Sequence, residues 1–294
     1  MAFYNRFLFV CTGNTCRSPM AAALFRKLAK ERGLPLTAVS AGLAPEFGAP
    51  ASENAIAAMA EEGIDLSNHR AKPATPALRD EAQMIAVMTE HHRLALIAAG
   101  VDAHKIFVLG GGVPDPYGGS LDLYRETRDA LKAVLPALLP PFRIVKMNES
   151  HIPALAALEK DCFASQAWSE TGLSAELQND TAVFLVAENE QGEVLGFLGM
   201  HHVLDECDIA QVAVSEKFRR QGVGFWLLSA AKAYGEEHGV TRLMLETRQS
   251  NTPARAMYEK FGFVEDGYRP RFYEAPVEDA VLYSYYIPKD GDLF

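Results

Sequence analysis

Apolar and polar positions along the first half of the chain form blocks that alternate between strand length and helix length. Short apolar runs predict four buried β-strands, at residues 6–10, 37–42, 84–88 and 105–109. Longer amphipathic stretches predict helices at 19–32, near 51–62, at 94–100 and at about 121–138. Strands that alternate with helices in this way indicate a doubly wound α/β fold, in which helices flank a parallel sheet.

The pattern changes at Pro140-Pro141, because proline lacks a backbone N–H and disfavours helical angles in the residue before it. Beyond this pair, strands are predicted at 142–148, 182–189, 195–204, 207–214, 242–248 and 281–287. Helices are predicted at about 151–162, near 169–179, and at 222–238 and 252–261. Most of these strands form a meander, which predicts a second α/β domain with a mixed sheet. The predicted domains are residues 1–141 and 142–294, joined by a short, stiff linker.

The composition is typical of a soluble globular protein, with 49% hydrophobic and 22% charged residues in a chain of 294. The net charge of −10 lies entirely in the second predicted domain. The chain has 14 basic and 14 acidic residues up to Pro141, but 14 basic and 24 acidic residues from Phe142 onward. An acidic domain disfavours nucleic acid as a direct partner and favours a basic one.

No apolar stretch is long enough to span a bilayer, and the first residues lack the pattern of a signal peptide. The four cysteines have no disulfide-framework spacing, and no Cys/His cluster has the spacing of a zinc site. We therefore expect a cytoplasmic protein that needs no metal and has no membrane partner.

The segment CTGNTCRSP, residues 11–19, joins the first predicted strand to the first predicted helix. A loop at this place directs several backbone N–H groups at one point and forms an anion site. Gly13 is expected to let the backbone curl, and Asn14 to adopt left-handed angles. Ser18 is expected to cap the helix, with Pro19 at its first position.

Two side chains of this segment bring the chemistry of phosphoryl transfer. Cys11 lies in a positive environment, where its pKa is expected to fall so that the thiolate persists at neutral pH. Arg17 can hold two oxygens of a phosphoryl group at once. A nucleophile, an anion cradle and a charge clamp together suit catalysis through a cysteinyl-phosphate.

Such a mechanism also needs an acid that protonates the leaving group. Asp115 is the candidate, in the segment VPDPYGGSLDLYRETRDAL at 113–131, where a Pro- and Gly-containing loop precedes a helix. Asp-Pro alone commonly starts a turn, so the prediction depends on its combination with the cysteine loop.

With these motifs the first domain resembles the low-molecular-weight protein phosphatases over residues 5–139. The matching segments are VCTGNTCRSPMA, SAG at 40–42, AVMTEHHR at 86–93 and DPYGGSLDLYRETRDAL. The resemblance implies Cys11 as nucleophile, Arg17 as phosphate clamp and Asp115 as general acid. It implies that Ser18 stabilises the thiolate and that Cys16 forms a reversible disulfide with Cys11. The implied phosphate-binding residues are Thr12, Gly13, Asn14, Thr15, Cys16 and Ser18.

Thr15 bears on the substrate, a phosphorylated protein. Many tyrosine-specific members have an aliphatic residue here, and the loop with threonine resembles the bacterial protein arginine phosphatases. A threonine hydroxyl can bond a guanidinium, whereas Tyr117 could line a slot for a phenol ring. The sequence thus favours phosphoarginine over phosphotyrosine and leaves both open. Arsenate reductases of this fold need a further cysteine, which the first domain lacks after Cys16.

The second domain contains a strand, a basic turn and a Gly-x-Gly that opens a helix, in VAVSEKFRRQGVGFWLL at 212–228. The turn from Arg219 to Gly224 directs backbone N–H groups at an anion, such as a pyrophosphate. Farther on, Glu246 lies on a strand and Tyr258 on the following helix, with Asn251 between them. A carboxylate that accepts a proton from an amine and a phenol that protonates a thiolate suit acyl transfer to an amine.

These segments resemble the GNAT acetyltransferases over about residues 142–288, and the ribosomal-protein alanine N-acetyltransferases in particular. Further matching segments are LEKDCFASQAWSE at 158–170 and GYRPRFYEAPVEDAVLY at 267–283. The resemblance implies Glu246 as general base and Tyr258 as general acid. The implied acetyl-CoA-binding residues are Val212, Ala213, Val214, Arg219, Arg220, Gln221, Gly222, Val223, Gly224, Phe225 and Asn251. Ala167 departs from the family, which has proline before Trp-Ser.

The sequence therefore predicts a bifunctional enzyme, a cysteine-dependent phosphoprotein phosphatase followed by an acetyl-CoA-dependent N-acetyltransferase. The acidity of the second domain fits a basic protein N-terminus, such as that of a ribosomal protein, as the acceptor. Two alternatives stay open. In the first, one domain is an idle module that only binds its ligand. In the second, the acetyltransferase acts on a small amine.

Overall fold

The computed structural model describes residues 4–288, and the chain divides into two compact units. Residues 4–31 and 36–140 form the first unit, and residues 141–288 together with 32–35 form the second. No helix in the described part of the chain is long and apolar enough to cross a membrane.

The first unit is a parallel sheet flanked by helices. Its strands are β1 (Arg6–Cys11), β2 (Thr37–Gly42), β3 (Met84–Val87) and β4 (Ile106–Val108). Its helices are α1 (Arg17–Glu31), α2 (Glu53–Ala60), α3 (Pro76–Glu81), α4 (Glu90–Ala98) and α5 (Leu121–Val134). The strand order is β2-β1-β3-β4, with every pair parallel, so β1 lies inside the sheet. Leu8, Phe9 and Val10 of β1 are fully buried, as expected for a strand with helices on both faces.

The second unit is a mixed sheet with helices. Its strands are β5 (Arg143–Lys146), β6 (Ala182–Glu188), β7 (Val194–Val203), β8 (Glu206–Val214), β9 (Arg242–Arg248), β10 (Val264–Glu274) and β11 (Val277–Tyr286). Its helices are α6 (Ile152–Phe163), α7 (Glu170–Leu177), α8 (Val223–His238) and α9 (Thr252–Phe261). The order is β10-β11-β9-β8-β7-β6-β5, and only the β8–β9 pair is parallel.

Strands β8 and β9 separate partway along their length. Their last paired residues are Ile209 and Leu245, although β8 continues to pair with β7 as far as Val214. A register shift at Ala210 accompanies this change, since Met200 of β7 pairs with Ile209 and Gly199 pairs with Gln211. The sheet is therefore open between Gln211–Val214 of β8 and the end of β9.

The predicted fold class, α/β with a parallel sheet followed by a mixed sheet, is confirmed. Strand β10 was not predicted, because VEDGYRPRFYE contains glycine, proline and charged residues instead of an apolar run. This strand pairs only with β11 and lies at the sheet edge, where such residues are tolerated. Helix α3 was also missed, and it has no buried residue that would give an amphipathic pattern.

Candidate active sites

The first candidate site is the loop that connects the carboxyl end of β1 to the start of α1. Asn14 has a left-handed φ of 55°, as predicted. The expectation for Gly13 was wrong, because this residue does not have a positive φ. A Cβ there would meet only the Thr15 hydroxyl, at an ordinary 3.6 Å. The curl of the loop is therefore carried by the asparagine.

Two groups of the loop contact the Cys11 thiol. Ser18 Oγ lies 3.0 Å from Cys11 Sγ, and the backbone N–H of Asn14 donates to the same sulfur at 3.3 Å. Ser18 does not cap the helix as predicted, because α1 already begins at Arg17. Its side chain instead turns inward to the cysteine and donates to the carbonyl of Ala41 at 3.3 Å.

Asn14 is fully buried and holds the loop against its surroundings. Its Nδ2 donates to Ser18 Oγ at 2.9 Å and to Ser40 Oγ at 3.0 Å. Its Oδ1 accepts from the backbone N–H of Lys72 at 3.0 Å, and its carbonyl is bonded by His69 Nε2 at 2.7 Å. Four residues, from the start of α1, from β2 and from the segment 65–72, thus fix the conformation of one loop residue.

The glycine of the SAG motif allows β2 to approach this loop. A Cβ at Gly42 would lie 2.6 Å from the carbonyl oxygen of Thr12, a distance that real Cβ atoms essentially never show. The close approach of two backbones therefore requires glycine at this position.

Arg17 and Asp115 are brought together from distant parts of the sequence. Arg17 is only 5% exposed, and its Nη2 donates to Asp115 Oδ2 at 2.5 Å. Its Nη1 donates to the carbonyl of Val113 at 3.2 Å, so the segment with the aspartate also orients the guanidinium. Half of the Asp115 side chain is exposed, which leaves the carboxyl accessible.

Thr15 and Cys16 lie next to each other at the side of the loop. Thr15 is half-buried, with its hydroxyl 3.5 Å from Cys16 Sγ. Cys16 is buried and a free thiol, as is Cys11. Its sulfur lies 3.1 Å from the hydroxyl of Tyr124, and burial together with this contact raises the pKa of Tyr124 to about 12.

His92 lies within the segment AVMTEHHR at 86–93, but no role was predicted for it. His92 is 3% exposed, and its two ring nitrogens lie 3.0 Å from the Thr12 hydroxyl and 2.8 Å from the Thr89 hydroxyl. Burial, and then the charge of Arg17, lower its pKa to about 4. His92 is therefore a neutral ring that positions Thr12 of the loop. Histidines near the start of a helix also occur on protein surfaces, so the sequence did not predict that this one is buried.

The second candidate site lies where β8 and β9 separate. Val212, Ala213 and Val214 occupy the stretch of β8 beyond its last pair with β9. The turn that follows contains two left-handed residues, Arg220 with φ 63° and Gly222 with φ 86°. This turn leads directly into α8, so its backbone N–H groups meet the start of a helix.

Gly224, at the start of α8, lets a side chain of α9 approach the turn closely. A Cβ at Gly224 would lie 2.6 Å from Met257 Sδ of α9. Val223 is buried beside it, and Phe225 lies 5.9 Å from Phe261, ring centre to ring centre. The close packing of α8 on α9 thus fixes the backbone of the turn.

Side chains of the same turn bond to their own loop. Arg219 Nε donates to the carbonyl of Val214 at 3.1 Å, and Gln221 Nε2 donates to the carbonyl of Lys217 at 2.9 Å. Asn251 is the N-cap of α9, and its Oδ1 accepts from the backbone N–H of Ala254 at 3.4 Å. The capping interaction accounts for this asparagine without a ligand.

Glu246 forms an ion pair that the sequence analysis missed. Arg269 of β10 donates from Nη1 to Glu246 Oε2 at 2.8 Å. In the sheet, Arg269 is the cross-strand partner of the small residue Ala280 of β11. Strand β11 lies between β10 and β9. Burial raises the pKa of Glu246, Arg269 lowers it, and Asp208 raises it again. Arg269 lies in the segment 267–283. Because it is far from Glu246 along the chain, the sequence did not indicate that the two side chains form an ion pair.

Tyr258 is 6% exposed and lies in the core between α9 and the sheet, with its ring 5.8 Å from that of Phe263. Burial raises the pKa of its hydroxyl, so the phenol keeps its proton at neutral pH.

A buried acid that the sequence analysis did not single out lies beside β8. Glu159 of α6 is fully buried, and its Oε2 accepts from the backbone N–H of Trp168 at 3.0 Å and from Gln211 Nε2 at 3.1 Å. Burial raises the pKa of Glu159 to about 7. Gln211 is the residue before Val212, so this acid orients a side chain at the opening of the sheet.

Among the described residues, no group of three or more His, Cys, Asp or Glu side chains could hold a metal ion.

In comparisons with known proteins, one family matches the part of the chain that contains the first site, and another family matches the part that contains the second site. The family model of the low molecular weight phosphotyrosine protein phosphatases matches residues 6–151. The model of the acetyltransferase (GNAT) family matches residues 152–263.

Each part of the chain aligns with most of the length of its relatives. A protein-arginine-phosphatase of Bacillus subtilis is 40% identical over 136 residues, which are 44% of this chain and 90% of the relative. A probable low molecular weight protein-tyrosine-phosphatase of Ralstonia nicotianae is 34% identical over 142 residues, 46% of this chain and 94% of the relative. The [ribosomal protein bS18]-alanine N-acetyltransferase of Escherichia coli is 32% identical over 141 residues, 47% of this chain and 93% of the relative.

Proposed function

Since this chain belongs to the low molecular weight protein phosphatases in its first part and to the GNAT acetyltransferases in its second, we propose that it dephosphorylates one protein and acetylates another. Both parts belong to enzyme families, so the chain is a bifunctional enzyme. We propose residues 1–141 as the phosphatase domain and residues 142–294 as the acetyltransferase domain.

In the phosphatase, the Cys11 thiolate attacks the phosphorus atom while the bond from phosphorus to the leaving group breaks. Asp115 gives its proton to the leaving nitrogen or oxygen, and Arg17 holds two of the phosphoryl oxygens. Water then attacks the cysteinyl-phosphate, loses a proton to Asp115, and releases inorganic phosphate and the thiolate. The observation that carries this proposal is the contact of Cys11 Sγ with Ser18 Oγ and the Asn14 N–H, in the same loop as Arg17.

The backbone N–H groups of residues 12–16 and Ser18 complete the phosphate cradle in this proposal. Phosphoarginine is the preferred substrate because Thr15 offers a hydroxyl at the side of the loop, where it can accept a hydrogen bond from a guanidinium. The relative named as a protein-arginine-phosphatase supports this preference, and the one named as a probable tyrosine phosphatase supports the alternative. Phosphotyrosine is therefore the second candidate.

The acetyltransferase uses acetyl-CoA, whose thioester supplies the acetyl group when it is bound. The opening between β8 and β9 fits an extended chain, since Val212, Ala213 and Val214 have no β9 partners there among residues 4–288. The turn before α8 fits a pyrophosphate because Arg220 and Gly222 adopt left-handed angles and the turn leads into the N-terminus of a helix. Arg219–Phe225 and Asn251 are the proposed remaining contacts.

Two proton carriers lie beside this opening in the proposed mechanism. Glu246 accepts the proton that the acceptor amine loses as it is acylated, and it is half-buried with one oxygen held by Arg269. Tyr258 donates a proton to the thiolate that leaves, and its buried hydroxyl is protonated at neutral pH. The acceptor is the N-terminal amine of a basic protein, such as a ribosomal protein, because this part of the chain is acidic and its relative acetylates bS18.

Paired assays on one preparation test this proposal. The unmodified protein is given a phosphoarginine peptide and a phosphotyrosine peptide, and separately acetyl-CoA with basic N-terminal peptides. The Cys11→Ser variant should lose phosphate release and retain acetyl transfer, and Glu246→Gln should show the reverse. A domain that binds its ligand without any turnover would be an idle module, and acetylation of polyamines but not of peptides would favour the small-amine alternative.

A further inference from the structure

A cavity of about 390 Å³ lies beside the catalytic loop of the phosphatase, between the start of α1, β2 and the segment 65–72. Its wall is formed in part by Pro19, Val39 and Leu66. Cys11, Arg17 and Asp115 do not line it. The cavity is therefore a second concave site, separate from the one in which phosphoryl transfer is proposed. Its volume lies within the range of about 300–1,000 Å³ that is usual for small-molecule sites.

Three cations line this cavity without an acidic partner. Arg26, Arg70 and Lys72 have no carboxylate within 4.0 Å of their charged nitrogens in the described part of the chain, and Asp65 is the single carboxylate of the lining. Arg26 Nη1 donates instead to the carbonyl of Ala38 at 2.6 Å. Several other cations of this unit do have such partners, for example Arg125 and Arg128 with the two oxygens of Glu61.

The three cations act together on one imidazole. Burial lowers the pKa of His69, the hydrogen bond to the Asn14 carbonyl raises it, and the charges of Lys72, Arg26 and Arg70 lower it further. Like charges gathered around a concave surface attract anions and are stabilised by them.

We propose that this cavity binds a small organic anion that carries phosphate or carboxylate groups. The charged groups of the ligand lie against Arg26, Arg70 and Lys72, and its apolar part lies against Pro19 and Leu66. A concave volume of this size fits a metabolite. The site is additional to both proposed activities.

The lining of the cavity is joined to the catalytic loop. Ser40, His69 and Lys72 each face the cavity and also bond to Asn14, through a hydroxyl, a ring nitrogen and a backbone N–H. Asn14 in turn donates to Cys11 Sγ. An anion beside His69 favours the charged imidazolium, which donates a stronger hydrogen bond to the Asn14 carbonyl. Binding in the cavity therefore changes a hydrogen bond of Asn14, the residue that shapes the loop.

Nuclear magnetic resonance of the full chain tests binding without turnover. Citrate and inorganic pyrophosphate serve as the two probes, because they separate carboxylate from phosphate recognition. We expect a saturable shift of the His69 ring signals with at least one probe, and a rise of the His69 pKa by about half a unit or more. The side-chain amide signals of Asn14 should shift with the same dissociation constant.

Matched variants assign the signal to the cavity. Arg70→Gln and Lys72→Gln should each weaken binding about tenfold or more, as expected for the loss of a charge-assisted hydrogen bond. Arg6→Gln removes an equal charge at the far end of β1 and should leave binding unchanged, and Arg17→Met should retain the His69 response. Thermal unfolding of each variant verifies that it is folded.

Three results would overturn the proposal. His69 signals that do not saturate with either probe would exclude the site. A response that survives both Arg70→Gln and Lys72→Gln, or that disappears in Arg17→Met, would place the anion in the catalytic loop. A His69 response without any shift of Asn14 would refute the connection to the loop.

Discussion

Arg17 Nη2 lies 2.5 Å from Asp115 Oδ2, so the proposed phosphate clamp and the proposed general acid contact each other directly. A phosphoryl group that binds to Arg17 competes with Asp115 for the guanidinium. Substrate binding thus separates the carboxyl group of Asp115 from the cation.

Asp115→Asn is expected to slow substrates with poor leaving groups more than activated ones, because only the former need a proton in the transition state. The loss of a general acid typically costs about 10² to 10⁴ in rate. Phosphotyrosine peptide hydrolysis should fall by such a factor, and hydrolysis of an aryl phosphate with an electron-withdrawing nitro group by much less. Steady-state kcat for both substrates measures the difference, and equal losses would remove Asp115 from the acid role.

Thr15→Ile is expected to shift the phosphatase from phosphoarginine toward phosphotyrosine, because it replaces a hydrogen-bonding hydroxyl with an aliphatic group. A lost hydrogen bond to a charged partner costs about 1.5–3 kcal/mol, equivalent to about tenfold or more in kcat/KM for phosphoarginine. Thr15→Ser keeps the hydroxyl and serves as the control. A preference of the unmodified protein for phosphotyrosine would contradict the substrate proposed here.

Arg269→Gln is expected to raise the pKa of Glu246, because it removes the cation that stabilises the carboxylate while burial and Asp208 continue to disfavour it. A base must be ionised to act, so the acidic limb of kcat/KM against pH should move to higher pH. The pH profile of acetyl transfer measures this shift, and Arg269→Lys should restore most of the original profile.

A neighbouring arginine provides the control for this experiment. Arg271→Gln removes a charge from the same strand, where the side chain is exposed, and should leave the profile unchanged. An acidic limb that stays in place in Arg269→Gln would show that Arg269 does not set the ionisation of the base.

His92 makes the stability of the first unit depend on pH. Its pKa is lowered to about 4 in the folded chain, whereas an unfolded histidine titrates near 6.5. As the pH falls from about 6.5 to about 4, the unfolded chain binds a proton that the folded chain does not, so stability is lost over this interval. The loss is at most about 3 kcal/mol.

His92→Gln should flatten this loss, because glutamine can bond the same hydroxyls without titrating. Hydrogen exchange of β1 amides between pH 4.5 and pH 7 measures the free energy of unfolding of this unit. His91→Gln, at an exposed neighbouring position, should retain the pH dependence. An equal slope in the His92 variant would assign the dependence to other groups.

The sequence was sufficient for the order of the elements other than α3 and β10, and for the position of the cysteine loop between β1 and α1. Strand β1, the cysteine loop and α1 are local, so spacing and turn chemistry predict them. The pairing of Arg17 with Asp115 could be inferred only because the proposed chemistry needs an acid. Spacing did not show that Arg269 of β10 reaches across β11 to Glu246 of β9, since this contact depends on strand order.

Local rules also failed where tertiary contacts decide the conformation. Gly13 was the expected site of the backbone curl, but Asn14 adopts the left-handed angles, and four residues bond to it. Ser18 was the expected helix cap, but the adjacent thiol turns its hydroxyl inward. In both cases the residue types have the predicted propensity, and the catalytic loop overrides it.

The separation of β8 from β9 after Ile209 leaves an open strand edge inside a folded sheet. Such an edge pairs readily with other strands, and proteins normally cover or blunt it. A bound extended ligand with amide groups, such as the pantetheine of acetyl-CoA, would act as the missing strand and block mispairing. The supply of the proposed cofactor would then govern how well this half of the chain resists aggregation, independently of any acetylation that it carries out.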